Sequence, residues 1–253
     1  MKKKILLILG ILLLISILIM TIIFIKDRTK VAILGYHSVM PHSINTSGDN
    51  LVVDSEKFEQ ELKILKKLGY QSMTLDDYYC WKNKKCKKNG KKVLITFDDG
   101  YTNNYEYAYP LLKKYHMNGV VFCVGSYIEA NDDIHMNKET LAKVKEEYPN
   151  IEIASHSWGM HFHSEKTYDE VVEDINKMKP LVDSEYYAYP FGDWNLEYVK
   201  ALKDNGYKMA FTFGPKKEHR KSDLKDDNFK VPRLNISNDM PMYKFILRLI
   251  LPM

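Results

Sequence analysis

Four short stretches of this 253-residue chain hold residue types that could do chemistry together. Asp98 and Asp99 stand side by side and are followed by Gly100. Side chains alternate along a strand, so adjacent carboxylates at a strand end point different ways. One can ligate a metal while the other faces a substrate. Gly100 lets the backbone turn sharply behind them. A second stretch, residues 155–163, carries His156, His161 and His163, three of the chain's eight histidines. Two imidazoles, one carboxylate and an open position make a catalytic metal site. His37 and the Pro190-Phe191-Gly192 turn are the third and fourth.

Each stretch lies just after an apolar run, so strands must deliver them. Strands are expected over residues 31–34, 93–97, 120–124, 151–154, 186–189, 208–213 and 229–234. Helices are expected between them. One has Phe58, Leu62, Leu65 and Leu68 on a single face, with Gly69 as its stop, and others cover residues 109–115, 138–147, 168–178 and 196–205. This alternation predicts an α/β fold, a distorted (β/α) barrel of about seven strands. The C-terminal rim of such a barrel carries the chemistry, and His37, Asp98-Asp99, His156 and Phe191 all fall there.

Thr96-Phe97-Asp98-Asp99-Gly100, followed by Tyr101, resembles the signature of the NodB-type polysaccharide deacetylases, carbohydrate esterase family 4. The resemblance extends over about residues 31–240. It implies Asp98 as general base, and Asp99, His156 and His161 as ligands of a divalent metal, taken as Zn²⁺. His163 is the alternative to His161. The histidine spacing of five, where four is commoner, is similar to that of poly-N-acetylglucosamine deacetylases. The family's usual catalytic histidine lies in a Leu-x-His motif near the C-terminus. Here that place reads Leu234-Asn235-Ile236, and Tyr36-His37 instead resembles the N-terminal motif of circularly permuted members, which implies His37 as general acid. Ala188-Tyr189-Pro190-Phe191-Gly192 matches the loop that closes the site, with the Phe191 N–H as oxyanion donor. Many members have Arg at the Ala188 position to orient the catalytic Asp. Arg233 and Tyr189 are the candidates for that support here. Tyr101, Trp158 and Trp194 could stack on sugar rings or serve packing.

Residues 1–30 form a separate unit. Lys2, Lys3 and Lys4 precede an uncharged apolar run from Ile5 to Ile25, long enough as a helix to cross a bilayer. No small-residue cleavage pattern follows, which favours an uncleaved transmembrane anchor over a signal peptide. The lysines ahead of the span predict an internal N-terminus and an extracellular domain. This unit holds +5 of the net +4 charge and leaves the remainder near −1, so nucleic acid is a poor guess for a partner. The expected partner is an N-acetylglucosamine-containing polysaccharide at the outer membrane face, beside polymer synthesis or export machinery.

Two local features stand apart. Residues 82–92 hold seven lysines, read as a solvated loop or as a contact for lipid headgroups or an anionic wall polymer. Cys80 and Cys86 flank that loop and could pair in an exported domain, whereas Cys123 reads as an inert core thiol. The tail, residues 241–253, is apolar and is expected to pack on the barrel rather than lie on a membrane. The leading function is removal of N-acetyl groups from a poly-N-acetylglucosamine-type exopolysaccharide. Peptidoglycan N-acetylglucosamine is the alternative substrate, and an O-acetyl esterase a weaker third. An inactive glycan-binding module would be expected to have lost Asp98, Asp99 or a histidine, and all are present.

Overall fold

Lys30–Tyr36 pairs in parallel with Lys91–Phe97 in the computed structural model, which describes residues 2–27, 29–162, 166–213 and 220–251. The parallel order continues through Gly119–Cys123, Ile151–Ser155, Tyr186–Ala188, Met209–Thr212 and Val231–Pro232. After Arg233 the chain crosses to the other edge, where Leu234–Asn235 pairs with Lys30–Tyr36. The segment 231–235 therefore bridges both edges. The result is a nearly closed barrel of seven parallel segments, as expected. The closing strand foreseen over 229–234 is in fact two short pieces with Arg233 at their junction.

Alternation along each strand sorts the side chains. Val31, Ile33, Leu94, Val120, Phe122, Ala154, Ala188, Phe211 and Val231 fill the interior. Leu34, Tyr36, Ile95, Phe97 and Val121 point outward, into a core shared with the helices Ser55–Lys67, Tyr109–Lys114 and Lys138–Glu147. Burial on both faces explains why these strands read as continuous apolar runs. Tyr187 and Tyr189 face outward on the far side, among residues of Tyr168–Met178 and Leu196–Asp204.

The end of the barrel where the strands begin is plugged by the helix Leu75–Lys82, which inserts Leu75, Tyr78 and Trp81 into the interior cluster. Thr74 starts it with a reciprocal capping box to Asp77. The sequence reading lacked this helix, because its two turns are too short for a hydrophobic period to show. Cys80 and Cys86 are joined, so the following loop is stapled to the plug. Lys82 is not solvated: it is buried and donates to the carbonyls of Asp223 and Asp226. The tail forms the helix Met242–Ile250 and packs through Phe245 and Leu249, as expected, so it is continuous with the main core. The N-terminal helix Lys2–Asp27 is long and apolar enough to cross a membrane, and none of its span is buried.

Candidate active site

The inward parity of the strands runs past their ends and delivers the site. Val31, Ile33 and Gly35 lead to His37, and Leu94 and Thr96 lead to Asp98. Ala154 leads to His156, and Val231 to Arg233. Residues from four strands thus meet at one rim, as a β/α barrel requires.

Asp98 and Arg233 form a fully buried fork. Arg233 Nη1 and Nη2 donate to the two Asp98 oxygens at 2.6 and 2.8 Å. The Thr96 hydroxyl accepts from Arg233 Nη1 at 3.3 Å and donates to the Leu34 carbonyl. The guanidinium lies 4.1 Å over the Phe213 ring, and that ring stacks at 6.0 Å on His37. Gly35 makes room for Phe213, since a Cβ there would come within 2.6 Å of the ring. Burial pushes the Asp98 carboxyl up, but the charge and hydrogen bonds of Arg233 outweigh it and hold the group well below the usual carboxylate range. Asp98 is therefore ionised at any working pH, and each oxygen keeps a second lone pair.

Asp99 leaves the strand with φ +67°, a left-handed conformation uncommon for a non-glycine residue. That turn aims its carboxylate at the histidines instead of along the strand. His156 Nε2 lies 3.5 Å and His161 Nε2 3.4 Å from the same Asp99 oxygen. His156 Nδ1 donates to the Ala188 carbonyl at 2.8 Å, which leaves the Nε2 lone pair facing Asp99. Burial pushes the His156 imidazolium pKa down, favouring the neutral, ligating form. Ligating atoms of Asp99, His156 and His161 all lie within 4.8 Å of one another. Tetrahedral ligands at Zn²⁺ bond lengths sit about 3.4 Å apart, so the trio fits a divalent cation with an open position left over. His163, the alternative ligand, lies outside the described residues.

His161 is placed by a loop whose support, Asp174, was not among the expected site residues. Asp174, buried on the helix Tyr168–Met178, accepts from the backbone N–H groups of Trp158 and Gly159 at 2.9 and 2.6 Å. The Ser157 hydroxyl accepts from Met160 N–H at 3.1 Å, and Ser157 itself has φ +72°. The signal for Asp174 was present in the sequence: an acid among Val171, Ile175 and Met178 on the helix's buried face. Phe191 closes the rim at φ +57°, its ring 71% exposed and 5.2 Å from that of His161.

Not every expected residue arrives. Tyr189 does not reach Asp98. Its parity turns it outward, and its hydroxyl donates to the Phe229 carbonyl. Trp158 and Trp194 have lysines over their rings, Lys177 at 4.9 Å and Lys230 at 4.0 Å. Tyr101 packs on His135 at 5.0 Å beside the rim.

Residues 85–210 match the family model for polysaccharide deacetylase. The Bacillus subtilis protein YxkH, which carries the name of a polysaccharide deacetylase, is 33% identical over 196 residues, covering 75% of this chain and 67% of its own. The chain belongs to the polysaccharide deacetylase family, the metal-dependent hydrolases of N-acetyl amides. A poly-β-1,6-N-acetyl-D-glucosamine N-deacetylase of Staphylococcus epidermidis is 27% identical over 206 residues, covering 75% of this chain and 70% of its own. Two solved structures share the fold. The Streptococcus pyogenes deacetylase PplD, in complex with acetate, has a TM-score of 0.76 at 21% identity, over 87% of this chain and 98% of its own. IcaB from Ammonifex degensii has a TM-score of 0.69 at 22% identity, over 83% and 93%.

Proposed function

We propose that the chain hydrolyses N-acetyl groups of an extracellular N-acetylglucosamine polymer of the poly-β-1,6 type, using one divalent cation, zinc. The observation that carries this reading is the Asp99, His156 and His161 cluster set against the Asp98–Arg233 fork at one barrel rim. A cation held by Asp99, His156 and His161 would supply Lewis acidity toward the acetamide oxygen and a more acidic water. Asp98, kept ionised by Arg233, takes the proton of the attacking water. The Phe191 N–H faces the developing oxyanion. His37 in its protonated form gives its proton to the leaving amine, which departs poorly as an anion. Acetate and a glucosamine unit result.

Relatives named for poly-β-1,6-N-acetyl-D-glucosamine support the choice of polymer. His37 supports the circularly permuted reading. Leu34 and Gly35 are hydrogen-bonded neighbours of Leu234 and Asn235, so a histidine delivered by either strand reaches the same rim. The apolar helix Lys2–Asp27 supports a membrane tether, and a place at the outer face beside polymer synthesis or export machinery is part of the same proposal.

The test is acetate release from β-1,6-linked N-acetylglucosamine oligomers and from peptidoglycan fragments, with and without chelator. Release from the oligomers that chelator and Asp98→Asn both abolish is expected. Release from peptidoglycan alone would move the assignment to the cell wall. Chelator-resistant release would remove the metal from it.

A further inference from the structure

The barrel has two unlike ends, and the one opposite the site is basic. Lys30 starts the first strand three positions after Asp27 ends the N-terminal helix, a reach of about 10 Å at most. The lysine-rich loop is tied to that point, because Lys88 Nζ donates to the Lys30 carbonyl at 2.6 Å and sits 5.5 Å over Trp81 of the plug. Lys84, Lys85 and Lys87 are exposed on this stapled loop, and Lys91 at the foot of its strand. Lys66 and Lys67 join them, since the helix Ser55–Lys67 ends just before Tyr70, which is in register with Lys91. Tyr70 also donates to the Leu249 carbonyl, which brings exposed Leu247 and Ile250 of the tail helix to the same end.

Of the acids nearby, Glu185 pairs with Lys208 and Asp226 with Arg220. Asp76, Asp77 and Asp223 set three carboxylates against the six exposed lysines. We infer that this end of the barrel is a docking face for an anionic lipid bilayer, with six lysines on the headgroups and Leu247 and Ile250 at the interface. The inference rests on reading Lys2–Asp27 as a membrane span and goes beyond the catalytic assignment. Charge complementarity and the short tether both favour lipid as the occupant. A basic segment next to a membrane span gains about fivefold in partitioning per lysine near an anionic surface. Docking this end would hold the site rim about 20 Å away, the rise of a barrel strand, and turn it outward toward polymer.

The full chain, reconstituted in nanodiscs of phosphatidylcholine with or without phosphatidylglycerol, is exposed to a water-soluble amine-acylating reagent. Acylation is read lysine by lysine, with Lys138 as the reference on the site side. In phosphatidylglycerol discs, Lys84, Lys85 and Lys87 are expected to react about fivefold or more slowly relative to Lys138. The triple variant Lys84→Glu, Lys85→Glu, Lys87→Glu is expected to release Lys91 from shielding while leaving deacetylation of a soluble oligomer unchanged. Equal relative rates in both discs, with the protein in the discs, would overturn the docking face and leave the anchor standing. Shielding of the loop by soluble polyglutamate in neutral discs, equal to that given by phosphatidylglycerol, would overturn lipid as the occupant. Protein eluting apart from both discs would overturn the anchor and the docking face together.

Discussion

At the scale of single residues, the proposed mechanism depends most on the Asp98–Arg233 pair. Two charges this deeply buried are tolerated only because the fork satisfies both carboxylate oxygens and both guanidinium ends. Lysine would keep the charge and lose the fork. Arg233→Lys is therefore expected to lower kcat by tenfold or more, with folding retained in a thermal melt. Arg233→Ala would strand the Asp98 charge and cost about 3–5 kcal/mol of stability. Unchanged turnover in Arg233→Lys would remove the support role. A second buried acid gives a pH prediction. Burial pushes Glu61 up to about 7 from its ordinary 4.5, against the Tyr36 hydroxyl that donates to it at 2.9 Å. The folded state thus binds an extra proton between those values. Stability is fully present below pH 4.5 and falls as pH rises through 7, by about 3 kcal/mol in total. Glu61→Gln keeps an acceptor for Tyr36 and removes the titration. Its melting temperature is expected to exceed the parent's by several degrees at pH 8 and to match it at pH 4.

At the scale of elements, the loop after Ile151–Ser155 sets where His161 stands in the candidate metal site. Asp174 holds its backbone from a neighbouring helix, through the Trp158 and Gly159 N–H groups. Asp174→Asn would set an amide group against one of two backbone donors that now meet an anion. Metal affinity, measured by competition with a chromophoric chelator, is expected to fall about 10–100-fold, as for other groups that orient metal ligands. Affinity equal to the parent's would show that His161 is fixed by other contacts. Gly35 acts on the other side of the rim. Gly35→Ala would drive Phe213 off the positions where it covers Arg233 and stacks on His37. A loss of about 1–3 kcal/mol is expected from such overpacking in a melt, together with a fall in kcat.

At the scale of the whole molecule, the barrel joins the ends of its own domain. The first strand meets the last segment, and the tail helix packs on the same core. Metal bound at the rim is then a ligand of the folded state alone. Chelation is expected to lower the melting temperature by an amount that corresponds to about 2.7 kcal/mol if the metal stood at 100 times its dissociation constant. His161→Ala should melt at one temperature with or without metal, and a metal-dependent shift that survives this change would place the cation elsewhere.

The sequence by itself determined the alternation of strands and helices, the barrel class and the stretches that fall at strand ends. A barrel strand buried on both faces must be an apolar run, and His37, Asp98-Asp99 and His156 are polar exceptions at the ends of such runs. The match of Asp98-Asp99 and the histidines to a family pattern supplied their chemistry. Only the tertiary structure decided which group answers Asp98. Arg233 and Tyr189 were both candidates, 135 and 91 residues away along the chain. Strand parity turned Tyr189 outward, and barrel closure turned Arg233 in. Asp174, the Cys80–Cys86 link and the plug helix were likewise decided by packing. Each depends on where distant segments meet, and a local pattern does not encode that meeting.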